Sequence, residues 1–144
     1  MPRYETTFTI NATPEAVWKV LTDYNSYGKW NPQIVQLTGP RQQGSTIQLK
    51  LKFPRRPGIR AKARLEIVDA PKRLVWKGNI VASFVFQGER DFVIESAGDS
   101  AVSFTHVENI TGLLAPVFSL AMGGPVRASH EAMNDAFKER CEAG

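Results

Sequence analysis

The chain has 144 residues, of which 42% are apolar and 22% charged, and its formal net charge is +4. That composition is ordinary for a soluble globular protein, and the length suits one domain, residues 1–144, large enough for a core or for a core with a hollow. No apolar run approaches the roughly 18 residues of a membrane span, Cys141 is the single cysteine, and Met1-Pro2-Arg3-Tyr4-Glu5 lacks the apolar centre of a signal peptide, so an intrachain disulfide is impossible and a cytoplasmic location is expected.

Tyr4 to Ile10 alternates as a strand, with Tyr4, Thr6, Phe8 and Ile10 on one side. Thr13-Pro14-Glu15 then announces a helix: threonine for the N-cap, proline at the first helical position and an acid at the positive end of the helix dipole. Val17, Trp18, Val20, Leu21 and Tyr24 supply its buried stripe. Asp23 to Pro32 is rich in turn residues and aromatics, with room for a second short helical turn. Tyr27 and Trp30 there either line an entrance or staple the short helices to the sheet.

Six more strands follow. Ile34 to Leu37 is short. Ile47 to Phe53 turns Ile47, Leu49, Leu51 and Phe53 inward. Ala61 to Val68 turns Ala61, Ala63, Leu65 and Ile67 inward, and Leu74 to Ile80 does so for Leu74, Trp76, Gly78 and Ile80. On the next strand Phe84, Phe86, Gly88, Arg90, Phe92 and Ile94 share a face. On the last, Val102, Phe104, His106, Glu108 and Ile110 share one. Side chains alternate along a strand, so Arg90, His106 and Glu108 point inward with the aromatics. A charge among phenylalanines is costly unless it is paired, hydrated or facing a cavity. The small inward residues Ala61, Ala63, Gly78 and Gly88 leave room on a face that other strands fill, so a cavity with a polar patch is expected, of about 300 to 1,000 Å³ as ligand pockets usually are.

Leu113 to Met122 is apolar, and Gly123-Gly124-Pro125 follows it. Val126, His130, Met133, Phe137 and Cys141 then recur at helical spacing. This predicts one long C-terminal helix, kinked or broken near Gly123–Pro125. Its apolar first half is either an ordinary helix start or a mobile gate.

Seven of the 18 basic residues fall in fifteen positions: Lys50, Lys52, Arg55, Arg56, Arg60, Lys62 and Arg64. Lys50 and Lys52, and Arg60, Lys62 and Arg64, alternate with inward apolar residues, as on the solvated face of an amphipathic hairpin. An anionic partner, lipid headgroups or an acidic protein, is the alternative role. Nucleic acid is not expected, because no aromatics interleave the charges.

Strand, two short helices, a run of antiparallel strands and a long helix make an α+β helix-grip order. Thr13-Pro14-Glu15-Ala16-Val17-Trp18, Leu21-Thr22-Asp23, Trp30-Asn31-Pro32, Arg73-Leu74-Val75-Trp76, Gly88-Glu89-Arg90-Asp91-Phe92, His106-Val107-Glu108 and Met133-Asn134 occur in that order. On these stretches the chain resembles the START-like superfamily, also called SRPBCC, and within it bacterial proteins described as polyketide cyclase/dehydrase and lipid transport. The resemblance implies a curved antiparallel sheet wrapped around the last helix and a site for something apolar. It does not imply an activity, because the fold hosts binders, transporters and cyclases alike. Relatives with Gly-Glu-His where this chain has Gly88-Glu89-Arg90 would have an acid–base group that arginine cannot supply, since its pKa exceeds about 12.

The candidate ligand-binding residues are Trp76, Phe86, Arg90, Phe92, Phe104, His106, Glu108, His130, Met133, Asn134 and Phe137, with Leu49, Leu51 and Leu65 as further walls. Hairpin register sets Arg90 opposite Glu108 or His106, either as an ion pair at the rim of the core or as an anchor for a ligand's polar end. His130 is either a hydrogen-bonded core residue or part of the cavity wall.

No catalytic residue, metal or cofactor is expected. His106-Val107-Glu108 has no Cys-x-x-Cys after it, two histidines and one cysteine do not make a closed zinc site, and no nucleophile elbow, P-loop or dinucleotide fingerprint occurs. Cys141 near the chain end is not expected to be a nucleophile. The function expected is binding of a lipid, polyketide or steroid-like molecule, as a monomer or homodimer. The rivals are a cyclase or dehydratase relying on His106 and His130, and an interaction module acting through the basic hairpin.

Overall fold

The structure, a computed structural model, describes residues 3–52, 58–79 and 87–143, without the side chains of 118, 119 and 121–123. Seven strands, β1 (Arg3–Ile10), β2 (Ile34–Thr38), β3 (Thr46–Leu51), β4 (Ile59–Asp69), β5 (Arg73–Asn79), β6 (Gln87–Ser96) and β7 (Val102–Thr111), form one antiparallel sheet in the order β1-β7-β6-β5-β4-β3-β2. Helices α1 (Pro14–Thr22) and α2 (Tyr27–Trp30) lie between β1 and β2, joined by a 3-10 turn at Tyr24–Ser26, and α3 (Ala115–Glu142) closes the chain. The sheet curves around α3 in the helix-grip arrangement expected of the sequence.

Local chemistry explains the boundaries. Thr13 is the N-cap of α1, its hydroxyl accepting from the Ala16 amide at 3.2 Å, and Pro14 opens the helix. The Tyr27 hydroxyl is fully buried and donates to the Leu21 carbonyl, which fastens the 3-10 turn beneath α1. Asn31 caps the entry to β2, with Oδ1 accepting from the Gln33 and Ile34 amides at 2.9 and 2.8 Å. α3 begins at Ala115, with Leu113 and Leu114 in the turn before it, and runs through Gly123-Gly124-Pro125 as a single helix. Pro125 has no N–H to give to the preceding turn, so α3 lacks one backbone hydrogen bond there.

Register aligns the concave face in rows. Ile47, Ala63, Gly78, Gly88 and Ile110 form one row across β3–β7, and Leu65, Trp76, Arg90, Glu108 and Tyr4 form the next. The main core joins Ile10, Val17, Leu21, Tyr27, Ile34, Leu65, Leu74, Trp76, Phe92, Phe104, Met133 and Phe137. Cys141, expected near an exposed end, belongs to this core, and burial pushes its thiol up to about 12. A second apolar cluster of Tyr4, Ile110, Ala115 and Val126 seats the start of α3, with Leu51 and Ile59 packed alongside.

One expected facing is corrected. Leu65 pairs with Trp76 but Ile67 pairs with Val75, so Glu66 is an extra residue in a bulge. The bulge reverses the alternation, as an inserted residue must. Val68 rather than Ile67 then packs against the core, opposite Leu74. Phe53, Ile80, Phe84 and Phe86, placed inward by the sequence, lie outside the described residues, as do Arg55 and Arg56.

Two glycines of one row differ in kind. A Cβ on Gly78 would sit 2.7 Å from the Lys62 carbonyl oxygen, whereas a Cβ on Gly88 would meet nothing within 4 Å. Gly78→Ala should therefore destabilise the fold by about 1–3 kcal/mol, the usual cost of forcing atoms into a packed site. Gly88→Ala should be neutral or slightly stabilising, because glycine weakens a strand interior. Urea unfolding of the two variants tests the contrast.

Candidate functional site

Arg90 on β6 faces Glu108 on β7 across the hairpin, and Phe92 faces His106. The Arg90 guanidinium donates from Nη2 to Glu108 Oε1 at 3.3 Å and from Nη1 to His106 Nε2 at 3.4 Å, and Nη1 also lies 3.3 Å from Met133 Sδ. Arginine only donates, so His106 Nε2 must accept, and the His106 proton is on Nδ1. That proton is donated to Asn134 Oδ1 on α3 at 2.8 Å. A second branch leaves Glu108: His130 Nδ1 donates to Oε2 at 3.4 Å, and His130 Nε2 shares a hydrogen bond with the Thr6 hydroxyl on β1 at 3.3 Å. The two imidazoles stack, with ring centres 4.1 Å apart, and His106 stacks in turn on Phe92 at 4.6 Å. Arg90, His106, Glu108, His130 and Asn134 are all buried.

The charges follow from this geometry. Burial alone would raise the Glu108 carboxyl, but Arg90 and the hydrogen bond from His130 outweigh it and hold Glu108 below the ordinary value, so it is ionised. His106 is driven well below the usual histidine range by burial first, then by the Arg90 charge and by His130. It is neutral at physiological pH, which agrees with its single Nδ1 proton. His106, Glu108 and His130 bring ligand atoms within 4.8 Å of one another, the one such group among the described residues. Arg90 occupies both Glu108 and His106, and a cation there would face its guanidinium, so the donor set does not suit a metal.

A pocket opens beside the Arg90–Glu108 pair, with about 70 Å³ of free interior. Its floor is Ala61, Ala63, Gly78 and Gly88, and its sides include Leu49, Leu51, Ile59, Trp76, Ile110 and Val126. The space is smaller than the expected 300 to 1,000 Å³ because aromatic rings fill the rest of the concave face. Phe104 packs against Phe137 at 4.8 Å and Trp76 against Phe92 at 5.2 Å.

The candidate residues therefore divide. Trp76, Arg90 and Glu108 border the pocket, together with the walls Leu49 and Leu51. Phe92, Phe104, Met133 and Phe137 are packed in the core with Leu65, while His106, His130 and Asn134 stand behind Arg90 and Glu108 without lining the pocket. Phe86 lies outside the described residues. Trp30 packs between Tyr27 and Phe137, ring centres 5.1 and 5.5 Å away, as a staple of α2 to α3 rather than a side of this pocket. Sequence reasoning missed Thr6 as the partner of His130, and Ile59 and Val126 at the pocket. Strand parity had put Thr6 inward, but no local signal links it to a residue 124 positions away.

The model of the family described as polyketide cyclase/dehydrase and lipid transport matches residues 1–142. The chain belongs to that family. No curated protein matches it. Among solved structures it is similar to the Zhui aromatase/cyclase from Streptomyces sp. R1128, at 15% identity and a TM-score of 0.80, over 98% of this chain and 93% of that one. A START superfamily protein from Mycobacterium smegmatis is similar at 16% identity and a TM-score of 0.75, over 98% and 97%. Norcoclaurine synthase from Thalictrum flavum follows at 12% identity and a TM-score of 0.71, over 97% and 93%. The TM-scores establish the shared fold, and in this chain Arg90 and Glu108 stand at the pocket.

Arg90→Ala should destabilise the protein by about 3 to 5 kcal/mol, because it strands a buried carboxylate. The double change Arg90→Met with Glu108→Leu should cost less than Arg90→Ala alone, since apolar replacement of a whole buried pair is often tolerated. Denaturant unfolding measures both, and a loss below about 1 kcal/mol for Arg90→Ala would mean a solvated pair.

Stability should also fall in mild acid. The unfolded chain protonates His106 below about 6.5 while the folded chain resists, so the unfolded state binds more protons and folding weakens as pH drops from there towards the depressed folded value. The slope approaches about 1.4 kcal/mol per pH unit. Glu108 adds its own loss only lower, below the ordinary carboxylate value. His106→Gln should flatten the pH 5 to 6.5 part of the profile, as followed by thermal unfolding across pH.

Proposed function

We propose that the protein binds a small hydrophobic or amphipathic molecule of the lipid, polyketide or steroid type. The pocket beside Arg90 would take it, with the apolar body over Ala61, Ala63, Gly78 and Gly88 and the polar end against Arg90 and Glu108. The observation that carries the reading is the pairing of a hollow with its lining: small residues form an apolar floor, and one buried ion pair borders it. Apolar walls with a few convergent polar groups are what a site for an amphipathic ligand requires.

A ligand larger than the free 70 Å³ must move a wall. Val126 is the side chain placed to yield. It lines the pocket and follows Pro125, where α3 lacks a backbone hydrogen bond. An acid–base role for His106 is less well supported, because the ring is fully buried, does not line the pocket and has both nitrogens engaged.

Native mass spectrometry of gently purified protein, followed by organic extraction, tests the reading. A reproducible co-purified lipid, fatty acid or aromatic polyketide is expected. An empty protein that also shows no thermal shift with such compounds would overturn it. Gly88→Leu should abolish uptake, since a Cβ at Gly88 meets nothing within 4 Å and the longer side chain takes up the 70 Å³ hollow, with thermal unfolding as the check that the variant folds.

A further inference from the structure

Four large apolar side chains stand out at the start of α3. Leu113, Leu114, Val117 and Leu120 are 76%, 51%, 63% and 91% exposed. Val117 and Leu120, three positions apart, share one face of α3, and Leu113 and Leu114 stand in the turn before it. The opposite face is anchored, with Ala115 and Val126 buried against Tyr4 and Ile110 and with Leu51 and Ile59 alongside. That packing sets the apolar turn at the end of the sheet where β3 leaves and β4 returns. Exposed Lys50 on β3 and exposed Arg60 and Lys62 on β4 lie there on the outer face of the sheet, with exposed Lys52 just past the end of β3. Lys50 stands directly opposite Arg60, and neither has an ion-pair partner among the described residues. Like charges opposite one another destabilise a sheet. Residues 46–65 and 109–130 contain no aspartate or glutamate, so nothing in either segment offsets the charge.

We infer that this end of the molecule docks on the surface of an anionic lipid bilayer. The exposed leucines and Val117 enter the headgroup boundary, and Lys50, Lys52, Arg60 and Lys62 meet the lipid phosphates. An apolar element plus a basic patch is the two-part signal that reversible membrane binding requires. No helix of the described residues is long and apolar enough to cross a membrane, so the contact is peripheral. Charge favours this occupant over a second copy of the chain, which would bring two uncompensated basic patches together. Ile59 and Val126 belong to the cluster that seats the apolar turn, and both line the pocket, so the docking face borders the pocket mouth.

Vesicle co-sedimentation tests this with the full chain. Vesicles of phosphatidylcholine alone are compared with three parts phosphatidylcholine to one part phosphatidylglycerol, at low and high salt. Binding to the anionic vesicles alone, weakened by salt, is expected. Leu120→Glu and the double change Lys50→Glu with Arg60→Glu should each lower the partition by about tenfold. Both alter exposed side chains, so unchanged thermal unfolding shows that the fold is intact, and Leu113→Glu substitutes if either variant fails to fold. No binding to either vesicle overturns the proposal, as does binding that neither variant reduces. A dimer in sedimentation velocity that Leu120→Glu dissociates would assign the face to self-association instead. Gly88→Leu should leave vesicle binding unchanged, which separates failure of docking from failure of the pocket.

Discussion

The buried charge of Arg90 is the constraint to which the rest of the site answers. A guanidinium under an aromatic core must be neutralised and its hydrogens must be taken up. Glu108 does the first, and Glu108, His106 and Met133 do the second. Each of these partners then needs its own. His106 donates a hydrogen bond to Asn134 on α3, and Glu108 accepts one from His130, whose other ring nitrogen bonds the Thr6 hydroxyl of β1. One cation thus ties β6, β7, β1 and α3 together, and α3 is held against the sheet by directed polar bonds as well as by Phe137 and Met133.

This arrangement also divides the concave side. Towards β1 and α1 the face is solid, with Phe104 packed against both Phe92 and Phe137. Towards β3 and β4 the row of Ala63, Gly78 and Gly88 leaves the hollow. The ion pair stands on the boundary, polar enough to greet a ligand and packed enough to define where the core stops. Gly78 and Gly88 look alike in sequence but have different origins: one is required by a neighbouring carbonyl, the other by space.

Much of this was legible in the chain because strand periodicity is strict. Alternation placed Arg90, His106 and Glu108 inward, and the length of the turn after Ser96 brought Arg90 opposite Glu108 or His106, between which the register chooses Glu108. Thr13-Pro14-Glu15 marked the start of α1 from capping chemistry alone. What escaped was non-local or irregular. The bulge at Glu66 carries no composition signal, and it exchanged Ile67 for Val68. Distances between Thr6 and His130, or between the two imidazoles, depend on how α3 lies across the sheet. The size of the pocket depends on ring packing that periodicity does not encode. Cys141 recurred on the apolar stripe of α3, yet its nearness to the chain end suggested exposure, and the core overrode that.

The direction of the hydrogen bonds behind the pocket has a further consequence. Arg90 can only give protons' hydrogen bonds, never accept them, so every link from Nη1 through His106 to Asn134 points the same way. Reversing that line would require the guanidinium to accept a hydrogen bond, and it has no lone pair to offer. The line is therefore a fixed dipole and not a proton wire. It can polarise whatever lies against the guanidinium, steadily and without turnover of its own, and a chain with a titratable side chain at position 90 would lose that polarity lock and gain a conductor.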